Sequence, residues 1–362
     1  MVAAQPRDGA AGRAKRAIID ADVHNVVENE KLLFPYLARR WRRHLELFGV
    51  RGPTGGRRTV PTNRRADARP PTGGRPGSDP AFLREQLLDG WGIDLGILIP
   101  LTGVGRSNNL ELDAALARAV NDWQVAEWLD PEPRLRASIV VPYEDARLAV
   151  EEIERRAPDR RFVQVQFMGR ARAPMGDRTY WPIYEAAERE GLPICSHASG
   201  GSGYPITGAG WPSFDLEEHV GPAQAMPANI ASLVFNGVFE RFPRLKIVST
   251  ENGFGWAPPL MWRLDGCWKV LKDEVPELKR PPSEYVREHV YFSAQPMEQP
   301  DKPEHFLQLI EHFGYDDRIF FASGYPDHDF DSPEGALPVR LPEELAHKIF
   351  YANAHALHAD RL

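Results

Sequence analysis

Three ionisable residues alternate in the segment IIDADVH: Asp20, Asp22 and His24. Positions two apart in an extended chain project to the same side, so Asp22 and His24 face one way, with Asp20 one step further back. Elsewhere the chain places His197 at the end of PICSH, Glu251 within STEN, and the run Asp327, His328, Asp329 after a Gly-Tyr-Pro turn. Imidazole nitrogens mixed with carboxylate oxygens form a donor set for a divalent ion, with Zn the first choice, Mn or Fe also admissible, and one or two ions held. Taken singly, each residue has a plainer reading. Asp22 can cap a loop, His197 can donate to a backbone carbonyl, and Glu251 can pair with an arginine. A metal centre therefore requires a fold that collects these distant residues in one place.

The elements that would do so are visible as short β-branched runs bounded by turn residues. They cover residues 17–24, 92–100, 135–142, 162–168, 193–199, 246–252, 290–295 and 319–325. Helical patterns, with apolar residues recurring at three and four, lie between them at 116–129, 144–156 and 181–190. Strand and helix in alternation mean parallel pairing through helical crossovers. Near-continuous apolar strands of this number fit a closed α/β architecture, the (β/α)8 TIM barrel, better than an open doubly wound sheet. No GxGxxG or P-loop pattern follows the first strand, which removes the commonest nucleotide-binding alternatives.

A barrel gathers the C-terminal ends of its strands into one mouth. Asp22 and His24 end strand one, His197 ends strand five, Glu251 ends strand six, and Asp327, His328 and Asp329 follow strand eight. Asp22, His24, His197, Glu251 and Asp327 are accordingly the expected metal ligands. Glu251, His219 and His328 are the expected catalytic residues. His219, in EEHVG, falls in the long stretch after strand five and reads either as ligand or proton carrier, or as a surface or core histidine. Trp211, Phe254, Trp256 and Trp262 wall a pocket or pack helices on the barrel.

Composition sets the bounds. The 362 residues are 42% hydrophobic and 10% aromatic, enough for a large core. We expect a disordered basic tail over 1–16 and a single barrel domain over 17–362. Residues 51–80, after the first strand, hold 12 Gly and Pro and seven Arg, and read as a long Gly/Pro/Arg-rich loop insertion. Such an insertion serves as a lid, meets a partner, or is simply solvated, and its arginines suit an acidic neighbour. The charge sum, 44 − 51 = −7, gives no reason to expect nucleic acid or an anionic membrane, so a small-molecule substrate is expected. No run approaches the roughly 18 apolar residues of a membrane span, and the basic start lacks the apolar centre of a signal peptide. Two cysteines, Cys195 and Cys267, make neither a disulfide framework nor a four-thiolate zinc site, and a cytoplasmic location fits them.

Five segments together resemble the amidohydrolase superfamily, in the branch containing aminocarboxymuconate semialdehyde decarboxylase. They are IIDADVH, TYWPIYEAAEREGLPICSH, GVFERFPRLKIVSTENGFGWAPPLMWRLD, PPSEYVREHVYFSAQPMEQP and FFASGYPDHDFDSP. The resemblance spans residues 17 to about 360. It implies a metal-dependent TIM-barrel enzyme whose metal is held by a strand-one pair, a strand-five histidine and a strand-eight aspartate. Asp22, His24 and His197 match that pattern. Strand six carries Glu251 where the decarboxylases typically place a catalytic histidine. Strand eight departs further: relatives read Ser-Asp-Tyr-Pro-His, and here the residues are Ser323, Gly324, Tyr325, Pro326 and Asp327. A glycine offers no side-chain ligand, so Asp327, His328 or Asp329 would have to move in.

Three functions are compatible with this resemblance. The first is hydrolysis or non-oxidative decarboxylation of a small organic acid at one divalent metal, with Glu251 or Asp327 as base for hydrolysis, or His219 or His328 as proton donor for decarboxylation. The second is a dinuclear non-haem iron monooxygenase, with Glu251 bridging two ions. The third is a non-catalytic subunit of a heteromeric complex, motivated by the altered strand-eight motif. A homodimer, or a heteromer with a related chain, is the expected assembly.

Overall fold

The computed structural model describes residues 16–50, 64–101, 107, 109–197, 205–327, 332–333 and 335–362. The expected tail up to residue 15 and the first part of the insertion, 51–63, lie outside the described residues, as do His328 and Asp329. Eight parallel strands run in chain order around one sheet. They are β1 (Ile19–Val23), β2 (Leu95–Leu98), β3 (Leu135–Val140), β4 (Phe162–Met168), β5 (Ile194–His197), β6 (Ile247–Thr250), β7 (Val290–Ser293) and β8 (Ile319–Phe320). The last strand returns to the first: Ala21 N donates to Phe321 O (3.1 Å), Gly324 N to Asp22 O (3.0 Å) and His24 N to Tyr325 O (2.7 Å). The sheet is thereby closed into the expected (β/α)8 barrel.

The sequence pattern arises because barrel strands are covered on both faces. Every residue of β1 and β4 is buried, Asp20 and Asp22 included, so burial along these strands does not follow the residue types. The three expected helices are present as Leu110–Gln124 with its continuation Val125–Leu129, Ala146–Arg156 and Trp181–Arg189. Every strand but β4 ends earlier than its apolar run suggests, and for two of them the structure gives the reason. β6 stops at Thr250 because Glu251 turns into the left-handed region (φ 58°). β8 stops at Phe320 because the chain beyond it leaves the ladder, with Phe321 N bonding Ile349 O (2.8 Å) and Tyr325 N bonding the Ser323 side chain (3.0 Å).

The described part of the insertion comes back over the barrel mouth. Arg64 pairs antiparallel with Asp327, Arg65 N donates to Pro326 O (2.9 Å), and Val26 N donates to Gly77 O (2.8 Å). Gly77 permits this approach: its φ is +77°, and a Cβ there would stand 2.7 Å from His24 O. Among the described residues, no helix is long and apolar enough to cross a membrane.

Candidate metal centre

β1 delivers the first two candidates from its C-terminal end, and both are fully buried. His24 is fixed by a 2.9 Å contact from Nδ1 to Ile99 O. A carbonyl only accepts, so Nδ1 carries the proton and Nε2 keeps a lone pair, the tautomer a metal needs. Burial holds the imidazole well below its usual pKa, with His197 and Arg64 adding to the effect, so the ring is neutral. Asp22 is buried beside it and has its carboxyl pushed well above the usual range by desolvation, which Arg64 partly offsets. Neither Asp22 oxygen, nor His24 Nε2, has a hydrogen-bond partner among the described residues. Buried ionisable groups left this way are costly, and a bound cation removes the penalty.

Asp20 stands one step deeper and does not join this set. Its carboxylate accepts from Ser323 N (2.9 Å), Ser323 Oγ (2.5 Å) and Asp22 N (3.2 Å). Burial raises its pKa to about 7 against those bonds. Its place is structural, tying β1 to the strand-eight segment at the level where the site begins.

β5 brings His197 opposite Thr250 of β6 in register. Its Nε2 lies 3.5 Å from Asp22 Oδ2 and 3.2 Å from Glu251 Oε2, and its ring centroid is 5.0 Å from that of His24. Glu251 reaches this position from left-handed backbone, a conformation that costs a non-glycine residue about 1–2 kcal/mol. Its amide donates to Ser293 Oγ (2.9 Å), and the next side chain bonds both Thr250 O (2.8 Å) and Ser196 O (3.3 Å) through Asn252 Nδ2. Asp327 completes the group and holds Arg64, with Nη1 to Oδ1 at 2.9 Å and only 19% and 9% of the two side chains exposed.

The donor atoms fall into two overlapping sets, Asp22, His24, His197 and His24, Glu251, Asp327, with atoms within 4.8 Å of one another in each. All five expected ligands are thus brought together. His219 is not in either set: it lies in the short helix Asp215–Val220, half-buried. Of the aromatics, Phe254 packs on Phe306 and Phe313, and Trp256 packs on Phe292, whereas Trp211 and Trp262 are exposed. Sequence reasoning missed Arg64. Its only signal was an arginine-rich insertion whose fold has no periodicity to read.

The model of the amidohydrolase family matches residues 19–358. Gamma-resorcylate decarboxylase of a Polaromonas species is 27% identical over 232 residues, covering 59% of this chain and 67% of that protein. The enzyme of the same name from a Rhizobium species is 25% identical over 267 residues, covering 68% and 77%. Among solved structures, an amidohydrolase from Mycobacterium avium subsp. paratuberculosis superposes with TM-score 0.72 at 22% identity, over 95% of this chain and 100% of that one. A dihydroxybenzoic acid decarboxylase from Polaromonas, solved with manganese and 2-nitroresorcinol, superposes at 0.64 with 22% identity, over 95% and 97%. The structural likenesses concern the fold.

Proposed function

From the premise that this chain belongs to the amidohydrolase family, we propose that it is a metal-dependent carboxy-lyase removing CO2 from a small organic acid without oxidation. The observation that carries this reading is the gathering of Asp22, His24, His197, Glu251 and Asp327 at the strand ends in two donor sets that share His24. Support comes from the two gamma-resorcylate decarboxylases and from the manganese held by the dihydroxybenzoic acid decarboxylase.

Asp22, His24 and His197 would hold the ion, with Asp327 supplying the acid that Gly324 lacks. A divalent ion there supplies Lewis-acid chemistry. Zn and Mn both suit nitrogen and oxygen donors of this kind. Arg64 places a positive charge at the mouth, where an anionic acid enters. In the reaction the bond from carbon to carboxylate breaks, CO2 leaves, and the electron pair stays on carbon until a proton arrives. Glu251 holds that proton: it is 13% exposed, faces His197, and is aimed by strained backbone. This takes the place of the expected His219, which stands outside the cluster, and of His328, which lies outside the described residues.

The geometry favours one ion over two. Both donor sets share His24, so a second ion would be left with Glu251 and Asp327 alone. The accessory-subunit alternative loses its motive, because Asp327 joins the donors despite Gly324. Phe214, Leu216 and Val220, exposed together around the helix Asp215–Val220, favour a homodimer, and two free thiols favour the cytoplasm.

The test is turnover of 2,6-dihydroxybenzoate by Mn- and Zn-loaded protein, followed as CO2 release. Release that disappears in His24→Ala and His197→Ala supports the proposal. A metal-loaded protein that releases no CO2 from any of a panel of hydroxybenzoates overturns it.

A further inference from the structure

Glu251, at φ 58°, has the only positive φ among the described residues other than glycine. A glutamate visits left-handed backbone roughly 5- to 30-fold less often than right-handed backbone, so local preference alone does not keep it there. The last registered pair of the β6–β7 ladder is Ser249 with Phe292, and Glu251 turns away just beyond it. Past that pair the Glu251 amide donates to a side chain of β7, Ser293 Oγ, at 2.9 Å.

The Ser293 hydroxyl is held from both sides. The residue is fully buried, and its single proton goes to Gln295 O (3.0 Å), which leaves the lone pairs of Oγ for Glu251 N. This link reaches Glu251 itself. The other hydrogen bonds of the turn act one residue further on: Asn252 Nδ2 donates to Thr250 O (2.8 Å) and Ser196 O (3.3 Å), and Trp256 Nε1 donates to Asn252 O (2.7 Å). At the far end of the Glu251 side chain, Oε2 stands 3.2 Å from His197 Nε2. Rotation about the N–Cα bond carries Cβ with it, so a Glu251 relaxed to ordinary backbone would take its carboxyl off His197.

We propose that Ser293 is a positioning residue: by accepting from the Glu251 amide it holds Glu251 in left-handed backbone and keeps its carboxyl at His197. Ser293 touches no reacting atom and acts only through Glu251. This rests on the carboxy-lyase reading, in which Glu251 holds the proton delivered to carbon.

The experiment is a double-variant cycle on Mn-loaded protein. It reads kcat and KM for CO2 release from the hydroxybenzoate turned over fastest, with metal per chain and far-UV circular dichroism on every protein. Ser293→Ala removes the acceptor, and Ser293→Cys fills nearly the same space with a weak one, so the second carries the test should the first not fold. Each is made alone and together with Glu251→Gln. Alone, each should lower kcat about tenfold or more, with KM within about twofold and metal retained, because a misplaced proton carrier slows the chemical step and not binding. With Glu251→Gln present, the same changes should lower kcat by less than about twofold, since no proton remains to be positioned. A general structural role lowers kcat by the same factor in both backgrounds, and that result overturns the proposal. An unchanged kcat in folded, metal-loaded variants overturns it as well, as does loss of metal or failure of both variants to fold; each of these leaves the carboxy-lyase reading standing. A metal-loaded wild type that releases no CO2 from any hydroxybenzoate overturns that reading, and the role of Ser293 with it.

Discussion

Replacing Gly324 by alanine should destabilise the protein through two separable effects, and the structure gives each a size. At φ +61° a Cβ meets its own backbone, which costs about 1–2 kcal/mol. The same Cβ would stand 2.7 Å from Gln295 Nε2, so the carboxamide must give way, at about 1 kcal/mol or more for a crowded buried side chain. Gly324→Ala alone should then lose about 2–3 kcal/mol. In the background of Gln295→Ala the obstructing atoms are gone and the backbone strain remains, so the same change should lose about 1–2 kcal/mol. The assay is urea unfolding of the four proteins of the cycle, all metal-free, followed by tryptophan fluorescence. A coupling near 1 kcal/mol, with the double variant more stable than the sum of the singles, is the expected result. Additivity within about 0.4 kcal/mol would refute the claim that Gln295 fills the space of a side chain at 324.

Other perturbations read the rest of the site. Glu251→Gln keeps size and backbone but cannot pass a proton, so the rate of CO2 release should fall about 100-fold or more while metal per chain is retained; loss of metal instead would make Glu251 a ligand. Arg64→Met removes the guanidinium paired with Asp327 in a mostly buried place, and should cost about 3 kcal/mol in metal-free protein and weaken binding of an anionic acid; an unchanged urea midpoint would show that the 2.9 Å pair contributes nothing. His358, buried at the barrel's C-terminal helix, has its pKa lowered to about 4 by desolvation. Below about pH 6.5 the unfolded chain binds a proton there that the folded chain does not, so stability is lost as pH falls from about 6.5 to 4. Asp113, raised to about 6 by burial, titrates in the opposite sense, so the comparison is wild type against His358→Gln. The wild type should lose up to about 3 kcal/mol more over that interval, and parallel curves would contradict the assignment.

The barrel was legible because its strands are buried on both faces and so appear as compact apolar runs, with β4 at 162–168 as read and the others shortened at their ends. The candidate donors Asp22, His24 and His197 were legible because imidazole and carboxylate fall together at the ends of strands that a barrel gathers into one mouth. Asp327 was legible because it follows strand eight into the same mouth, and Gly324 at the place of the expected acid drew further attention to it. What escaped was set by tertiary context. Arg64 comes from an insertion without hydrophobic period, and its meeting with Asp327 depends on Gly77 letting the chain pass over His24 O. Gln295 is neutral and carries no motif, and only the structure shows that its carboxamide occupies the space beside Gly324. His219, which the sequence left open between a role in the mouth and a surface or core place, lies on a short helix and in neither donor set.

Metal content per chain, measured on wild type and on His24→Ala, His197→Ala and Asp327→Asn after loading with Mn and with Zn, decides whether the buried cluster is a metal centre. About one ion per chain in wild type is expected, falling to near zero in both histidine variants and to a weaker, chelator-sensitive level in Asp327→Asn. Full metal content in His24→Ala, whose imidazole is common to both donor sets, would contradict it.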